Sequence, residues 1–163
     1  MVALILPAST IEAQDATRYT LESLSQLPAC ELERIYRQAS PGAAPCGFMR
    51  GHVVFADGAA LGRPRGRIAN WLWDGKYFSD DALVNQFRGT RMIRAHVGAG
   101  ESWLDGRPAH ILDYQHTSIV WRNARDETRE VAPGVYLGAM YLRRHHGSPH
   151  LKLFFILQAC DCR

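Results

Sequence analysis

Asp126-Glu127-Thr128-Arg129-Glu130-Val131-Ala132-Pro133-Gly134-Val135-Tyr136-Leu137-Gly138-Ala139-Met140-Tyr141-Leu142-Arg143 is the stretch whose reading decides the fold. Pro133-Gly134 turns the chain between two short runs, and proline in mid-helix would break a helix spanning them. The stretch is therefore a β-hairpin, with a charged first strand and an apolar second one.

The same pattern recurs outward from this hairpin. Asp57-Gly58, Asp74-Gly75, Arg88-Gly89, Asp105-Gly106 and His146-Gly147 each end a short run. The runs are 48–55, 76–78, 83–87, 90–97, 102–104, 109–114, 126–131, 135–143 and 151–158, and 117–125 fits either a strand or a helical turn. Eight or nine short strands at this spacing predict a mainly β protein, a single antiparallel up-and-down β-barrel.

Two short helices precede it. Leu21, Leu24 and Leu27 fall at three-residue steps over 20–27, although Thr20 with Ser23 lacks the acidic partner of a standard capping box. Pro28 opens a second helix over 29–38, with Leu32, Ile35 and Tyr36 on one face. Residues 1–17 have no period and read as an N-terminal arm, with 18–163 as one barrel domain. Ala13 would serve as a cleavage point if the arm is an export signal, but no positive region precedes it. The reading of the compartment is thus cytoplasmic, with export as the alternative.

The composition narrows the function. The chain has 163 residues, 47% of them apolar and 21% charged, which excludes a disordered chain. A net charge of +3 is too mild for a nucleic-acid footprint. The positive charge is nearly all arginine, with Lys76 and Lys152 the two lysines. No apolar run approaches the roughly 20 residues of a membrane-spanning helix. Gly62-Arg63-Pro64-Arg65-Gly66-Arg67 reads as a solvated basic loop without a Walker frame. Cys160-Asp161-Cys162 and the His145, His146 and His150 group lack metal-ligand spacing, so no metal or other cofactor is expected. Cys30 and Cys46 are either free or bridged, and the oligomeric state is open.

About eight up-and-down strands from Phe48 to Gln158, behind a helical lead-in, resemble the calycin superfamily of lipocalin-type barrels. The resemblance lies in strand number and order. Trp71-Leu72-Trp73-Asp74-Gly75 and Tyr141-Leu142-Arg143 differ in order and place from the Gly-x-Trp and Arg-x-Tyr of that superfamily, so no ligand residue is carried over. The resemblance implies an interior that holds a small apolar molecule. Some calycin-like enzymes instead run a cofactor-free elimination, cyclisation or isomerisation there.

Strand alternation nominates the site residues. Arg94 and His96 share a face with Met92, which makes either a solvated outer face or a polar patch in a pocket. Asp113 aligns with Ala109 and Ile111, so it is either a buried acid–base group or half of a structural pair with Arg94, Arg122 or Arg129. Arg129, beside Glu127 and Val131, either points inward to anchor an anion or lies on an outer edge. Tyr136 lies with Gly138 and Met140, and Tyr141 is on the opposite face; each is a proton donor or a packing residue. The small Gly138 leaves room for a ligand or a crossing element. Trp103 and Trp121, with Trp71 and Trp73, either wall a pocket or fill the core.

Three functions follow in order of preference. The first is a barrel that binds a largely apolar small molecule, anchored by Arg94, His96 or Arg129 and walled by Trp103 and Trp121. The second is a cofactor-free lyase, isomerase or cyclase with Asp113 as acid or base, Tyr136 or Tyr141 as proton donor, and arginine stabilising an enolate-like charge. It requires at least three such groups to converge in one cavity. The third is a structural or interaction domain with every inward charge neutralised.

Overall fold

In the computed structural model, eight antiparallel strands close into a barrel in sequence order, with β8 returning to pair with β1. The structure describes residues 19–56, 62–144 and 146–160; the N-terminal arm, the Asp57-Gly58 turn, His145 and Cys162 lie outside them. The elements are α1 (Leu21–Ser25), α2 (Ala29–Gln38), β1 (Gly47–Phe55), α3 (Gly62–Leu72), β2 (Trp73–Ser79), β3 (Ala82–Phe87), β4 (Thr90–Glu101), β5 (Pro108–Asp113), β6 (Ala124–Ala132), β7 (Val135–Leu142) and β8 (His150–Ala159).

Three expectations need correction. The run 102–104 is a turn, in which the Ser102 carbonyl accepts from the Gly106 N–H at 2.8 Å and the Ser102 N–H donates to the Arg107 carbonyl at 2.9 Å. The span 117–123 is also made of turns, and strand begins at Ala124. The basic stretch 62–67 is no loop but the start of α3, which runs on to Leu72. Pro64 falls in its first turn, where a missing N–H costs no hydrogen bond. At α1 the weak cap is a full one, because Ser23 does the work usually given to glutamate: Thr20 Oγ1 accepts from the Ser23 N–H at 3.1 Å and Ser23 Oγ accepts from the Thr20 N–H at 2.9 Å.

Two cores result. Met49, Val53, Trp73, Phe78, Leu83, Leu112, Tyr136 and Phe155 pack inside the barrel. Leu24, Leu32, Ile35 and Tyr36 of α1 and α2 bury Leu137, Ala139, Tyr141, Phe154 and Ile156 on the outside of β7 and β8. Strands β6 to β8 are thus covered on both faces. Cys30, Cys46 and Cys160 are free thiols.

One side of the barrel is joined differently. Strand β1 pairs with β2 only over Gly47 to Arg50, whereas it pairs with β8 as far as Phe55. Beyond Arg50, α3 takes the place of the missing neighbour. Asn70 Oδ1 accepts from the Val53 N–H at 2.6 Å, and its Nδ2 donates to the Val53 carbonyl at 3.0 Å. The Asn70 carboxamide therefore mimics one residue of an adjoining strand. Nδ2 also lies 3.2 Å from His52 Nε2. Burial, and then Arg50, lowers the pKa of His52, which favours the neutral ring that accepts this bond.

Candidate functional site

The barrel encloses a cavity of about 450 Å³ at the α3 end. This is within the usual range for small-molecule sites, roughly 300–1,000 Å³. Its walls are hydrocarbon and aromatic: Val53, Phe55, Phe87, Ile93, Met140, Leu142, Leu153 and Phe155. The half-open rim includes Leu72 of α3 and Trp121, both partly exposed.

Asn85, Tyr114 and Asp126 are polar groups of this lining, and the buried Lys76 joins them from outside it. Lys76 is 3% exposed and Asp126 4%. Lys76 Nζ donates to Asp126 Oδ2 at 2.9 Å, to Asn85 Oδ1 at 2.9 Å and to the Tyr114 hydroxyl at 2.7 Å. Tyr114 donates in turn to Asp126 Oδ2 at 3.0 Å. Asn85 Oδ1 also accepts from Trp73 Nε1 at 3.2 Å, and Asn85 Nδ2 donates to the Ile93 carbonyl and the Tyr114 hydroxyl at 3.0 and 3.1 Å. The Phe155, Trp73 and Tyr114 rings surround the ammonium, with centroids 5.1 to 5.5 Å from Nζ. Asp126 Oδ1 is buried and has no hydrogen-bond partner.

Two bulges aim these side chains. Register shifts between Trp73 and Gly75, which brings both Trp73 and Lys76 to the inner face although they are three residues apart. Gly75 has φ +144, and a Cβ there would lie 2.0 Å from the Met49 carbonyl oxygen, so only glycine fits. A second shift, between Val84 and Asn85, leaves Ile93 as the extra residue on β4 with φ 63. That region is costly for a β-branched residue, by about 1–3 kcal/mol. The Ile93 carbonyl is the acceptor that orients Asn85.

The electrostatics favour an ion pair. Burial pulls the Lys76 ammonium down, but Asp126 and then Tyr114 outweigh it, so its pKa stands above the usual lysine value. Burial and then Asp126 push the Tyr114 hydroxyl up to about 12. Near neutral pH Lys76 is a cation and Tyr114 a protonated phenol, both facing the Asp126 carboxylate.

Of the residues nominated from sequence, Trp121 lines the cavity. Arg94 and His96 point outward and are exposed, as the solvated alternative had it. Asp113 also lies outside: Leu112 and Tyr114 hold the inner face of this segment, and Asp113 pairs with Arg143 at 2.7 Å. Tyr136 is inward but donates to the Ala43 carbonyl at 2.9 Å, away from the cavity lining. Tyr141 packs edge-on against Trp103 on the outer surface, with ring centroids 5.7 Å apart. The expected convergence of Asp113, Tyr136 and Tyr141 does not occur. Gly138 leaves no ligand space, since the Phe155 ring fills it and a Cβ would meet that ring at 2.1 Å.

Arg129 is fully buried, but on the outer face of β6 beneath α2. Nη1 and Nη2 grip Asp105 at 2.8 and 2.7 Å. The other N–H groups reach the Pro108, Tyr36 and Arg107 carbonyls at 2.9, 3.0 and 3.0 Å. All five guanidinium donors are used, so Arg129 ties the 105–108 turn to α2 and has none left for a ligand. Beside it, Glu127 accepts from the Trp103 N–H at 2.8 Å and Arg125 at 2.9 Å, and from the Ser102 hydroxyl.

Comparison with known protein families and with curated proteins finds no match. Among solved structures, the chain is similar to a crystal structure of a protein from Thermomonospora curvata. The TM-score is 0.56 at 20% identity, over 96% of this chain and 100% of that one. At that identity the likeness shows the fold.

Proposed function

We propose that this barrel binds a largely apolar small molecule in its interior, in the manner of calycin-like carriers. The observation that carries the reading is an apolar cavity of about 450 Å³ with a compact polar patch, Asn85, Tyr114 and Asp126, in its wall, each of them bonded to the buried Lys76. Binding sites commonly combine an apolar lining with a few placed polar groups that fix orientation. The polar anchor is the Lys76–Asp126 pair, in place of the arginines that the sequence suggested.

Thermal unfolding with apolar compounds tests this. A compound at 100 times its Kd stabilises the fold by about 2.7 kcal/mol. Ala124 lines the cavity and is buried, so Ala124→Phe fills the space from within. Bound compounds raise the melting temperature of the parent chain and leave that of Ala124→Phe unchanged. No shift with any compound, or equal shifts in both chains, refutes the reading.

A second reading has its own support. Tyr114 and Asp126 line one cavity within hydrogen-bond reach of each other, and the buried Lys76 is within reach of both. In a cofactor-free elimination or isomerisation, Asp126 would take the proton and Tyr114 would face the developing negative charge. Turnover of a bound compound that stops in Asp126→Asn would support this over simple carriage, and recovery of every bound compound unchanged would refute it.

A further inference from the structure

The donors and acceptors of the polar patch are already matched, with one exception. An ammonium has three N–H groups, and those of Lys76 go to Asn85, Tyr114 and Asp126. The two Asn85 donors go to Ile93 and Tyr114, and the Tyr114 hydroxyl hydrogen goes to Asp126. Trp73 Nε1 is spent on Asn85. The unmatched atom is Asp126 Oδ1, an acceptor. The patch therefore has no hydrogen to give a ligand and one lone-pair site to fill. Oδ1 is covered, but the carboxylate torsion is broad, so a modest turn presents it to the cavity that Asp126 lines.

From this we infer that the cavity selects neutral, largely apolar alcohols or phenols, whose hydroxyl donates to Asp126 Oδ1. The inference rests on the binding function proposed above and names its ligand class. Lys76 and Asp126 cancel in charge, so a neutral head group adds no unpaired charge to the apolar interior. A carboxylate would meet the Asp126 oxygen without a donor between them, and an aldehyde or ketone brings only a second acceptor. The competing arrangement uses half-buried Lys152 of β8, which lines the cavity opposite the end of β1 and would hold an acid tail-inward.

Two matched ligand sets decide between them: decanol, decanal, decanoate and decane, and naphthol, naphthaldehyde, naphthoate and naphthalene. Binding is followed by calorimetry and by the fluorescence of Trp73 and Trp121. A hydrogen bond to a charged acceptor makes the alcohol or phenol about 10- to 100-fold tighter than its hydrocarbon and aldehyde counterparts. The acid of each set binds weakest. In the double variant Lys76→Met/Asp126→Leu, the hydrocarbons still bind and the preference for hydroxyl disappears. An aldehyde or hydrocarbon that matches its alcohol overturns the inference and leaves the binding function standing. An acid that binds best and loses affinity in Lys152→Gln overturns it in favour of the tail-inward arrangement. Failure of all eight compounds overturns the binding function and the inference with it.

Discussion

Removing Lys76 alone should damage this protein more than removing Lys76 and Asp126 together. In Lys76→Met, the side chain keeps roughly its length while its three hydrogen bonds vanish. Asp126 then keeps one donor, Tyr114, for a carboxylate that is 4% exposed. Breaking a buried pair from one side costs about 3–5 kcal/mol, because the remaining charge has neither water nor counter-ion. At about 2–4 °C per kcal/mol for a chain this size, the melting temperature falls by roughly 6–20 °C. The double variant Lys76→Met/Asp126→Leu removes both charges, and such replacements are often neutral or stabilising by about 1–4 kcal/mol. Urea unfolding of the parent, both single variants and the double variant gives the coupling energy, provided the slopes agree. A single variant within about 1 kcal/mol of the parent would refute the reasoning, since desolvated groups cannot lose a counter-ion so cheaply. So would a double variant as unstable as the sum of the singles.

Three further outcomes are expected. Arg129→Leu strands Asp105 and three carbonyls and should cost about 3–5 kcal/mol, while ligand affinity at the cavity stays at the parent value in calorimetry. The Arg129 hydrogen bonds lower the pKa of Asp105, so its contribution is present above the unfolded value of about 3.9 and is lost as pH falls through the folded one. The acid limb of a stability–pH curve should therefore flatten in that variant. Gly75→Ala places a Cβ against the Met49 carbonyl at φ +144 and should lose about 2–3 kcal/mol, measured by urea midpoint; an unchanged midpoint would show that the bulge does not need glycine. Tyr114 and Tyr136 are both held protonated up to about 12, mainly by burial, and the Lys76 pKa is also raised. An unfolded tyrosine releases its proton near ~10, so the folded state binds more protons above that pH. Thermal stability should hold up to about pH 10 and decline from there toward 12, and a decline that begins near neutrality would contradict this.

The architecture was readable because turn dipeptides such as Pro133-Gly134 and Asp105-Gly106 punctuate it, and turn chemistry is local. The site was not readable, for two physical reasons. The first is burial on both faces. On β6, alternation correctly groups Asp126 with Thr128 and Glu130, and Glu127 with Arg129. Because α2 and the 102–107 turn cover the outer face, Arg129 is as buried as any lumen residue. Inside and outside then look alike to a pattern that compares only apolar with polar. The same ambiguity put Asp113, rather than Leu112 and Tyr114, on the inner wall. The second reason is the bulges. Gly75 and Ile93 each shift the phase by one residue, which turns Lys76 inward and Arg91 outward, where Arg91 stacks on Tyr77 at 3.9 Å. One signal was visible without coordinates. An otherwise arginine-based chain keeps two lysines: Lys152 lines the cavity, and Lys76 pairs with Asp126, which lines it too.

The Asn70 carboxamide gives the barrel a seam. Elsewhere, separating neighbouring staves means unzipping a ladder of amide bonds. Between β1 and α3 it means releasing the Asn70 bonds to Val53 and His52, at about 0.5–1.5 kcal/mol each. The ring from β2 round to β8 stays fastened while this happens, and so does β1 to β8. The wall can therefore part at one stitch, beside the rim, without the garment coming undone.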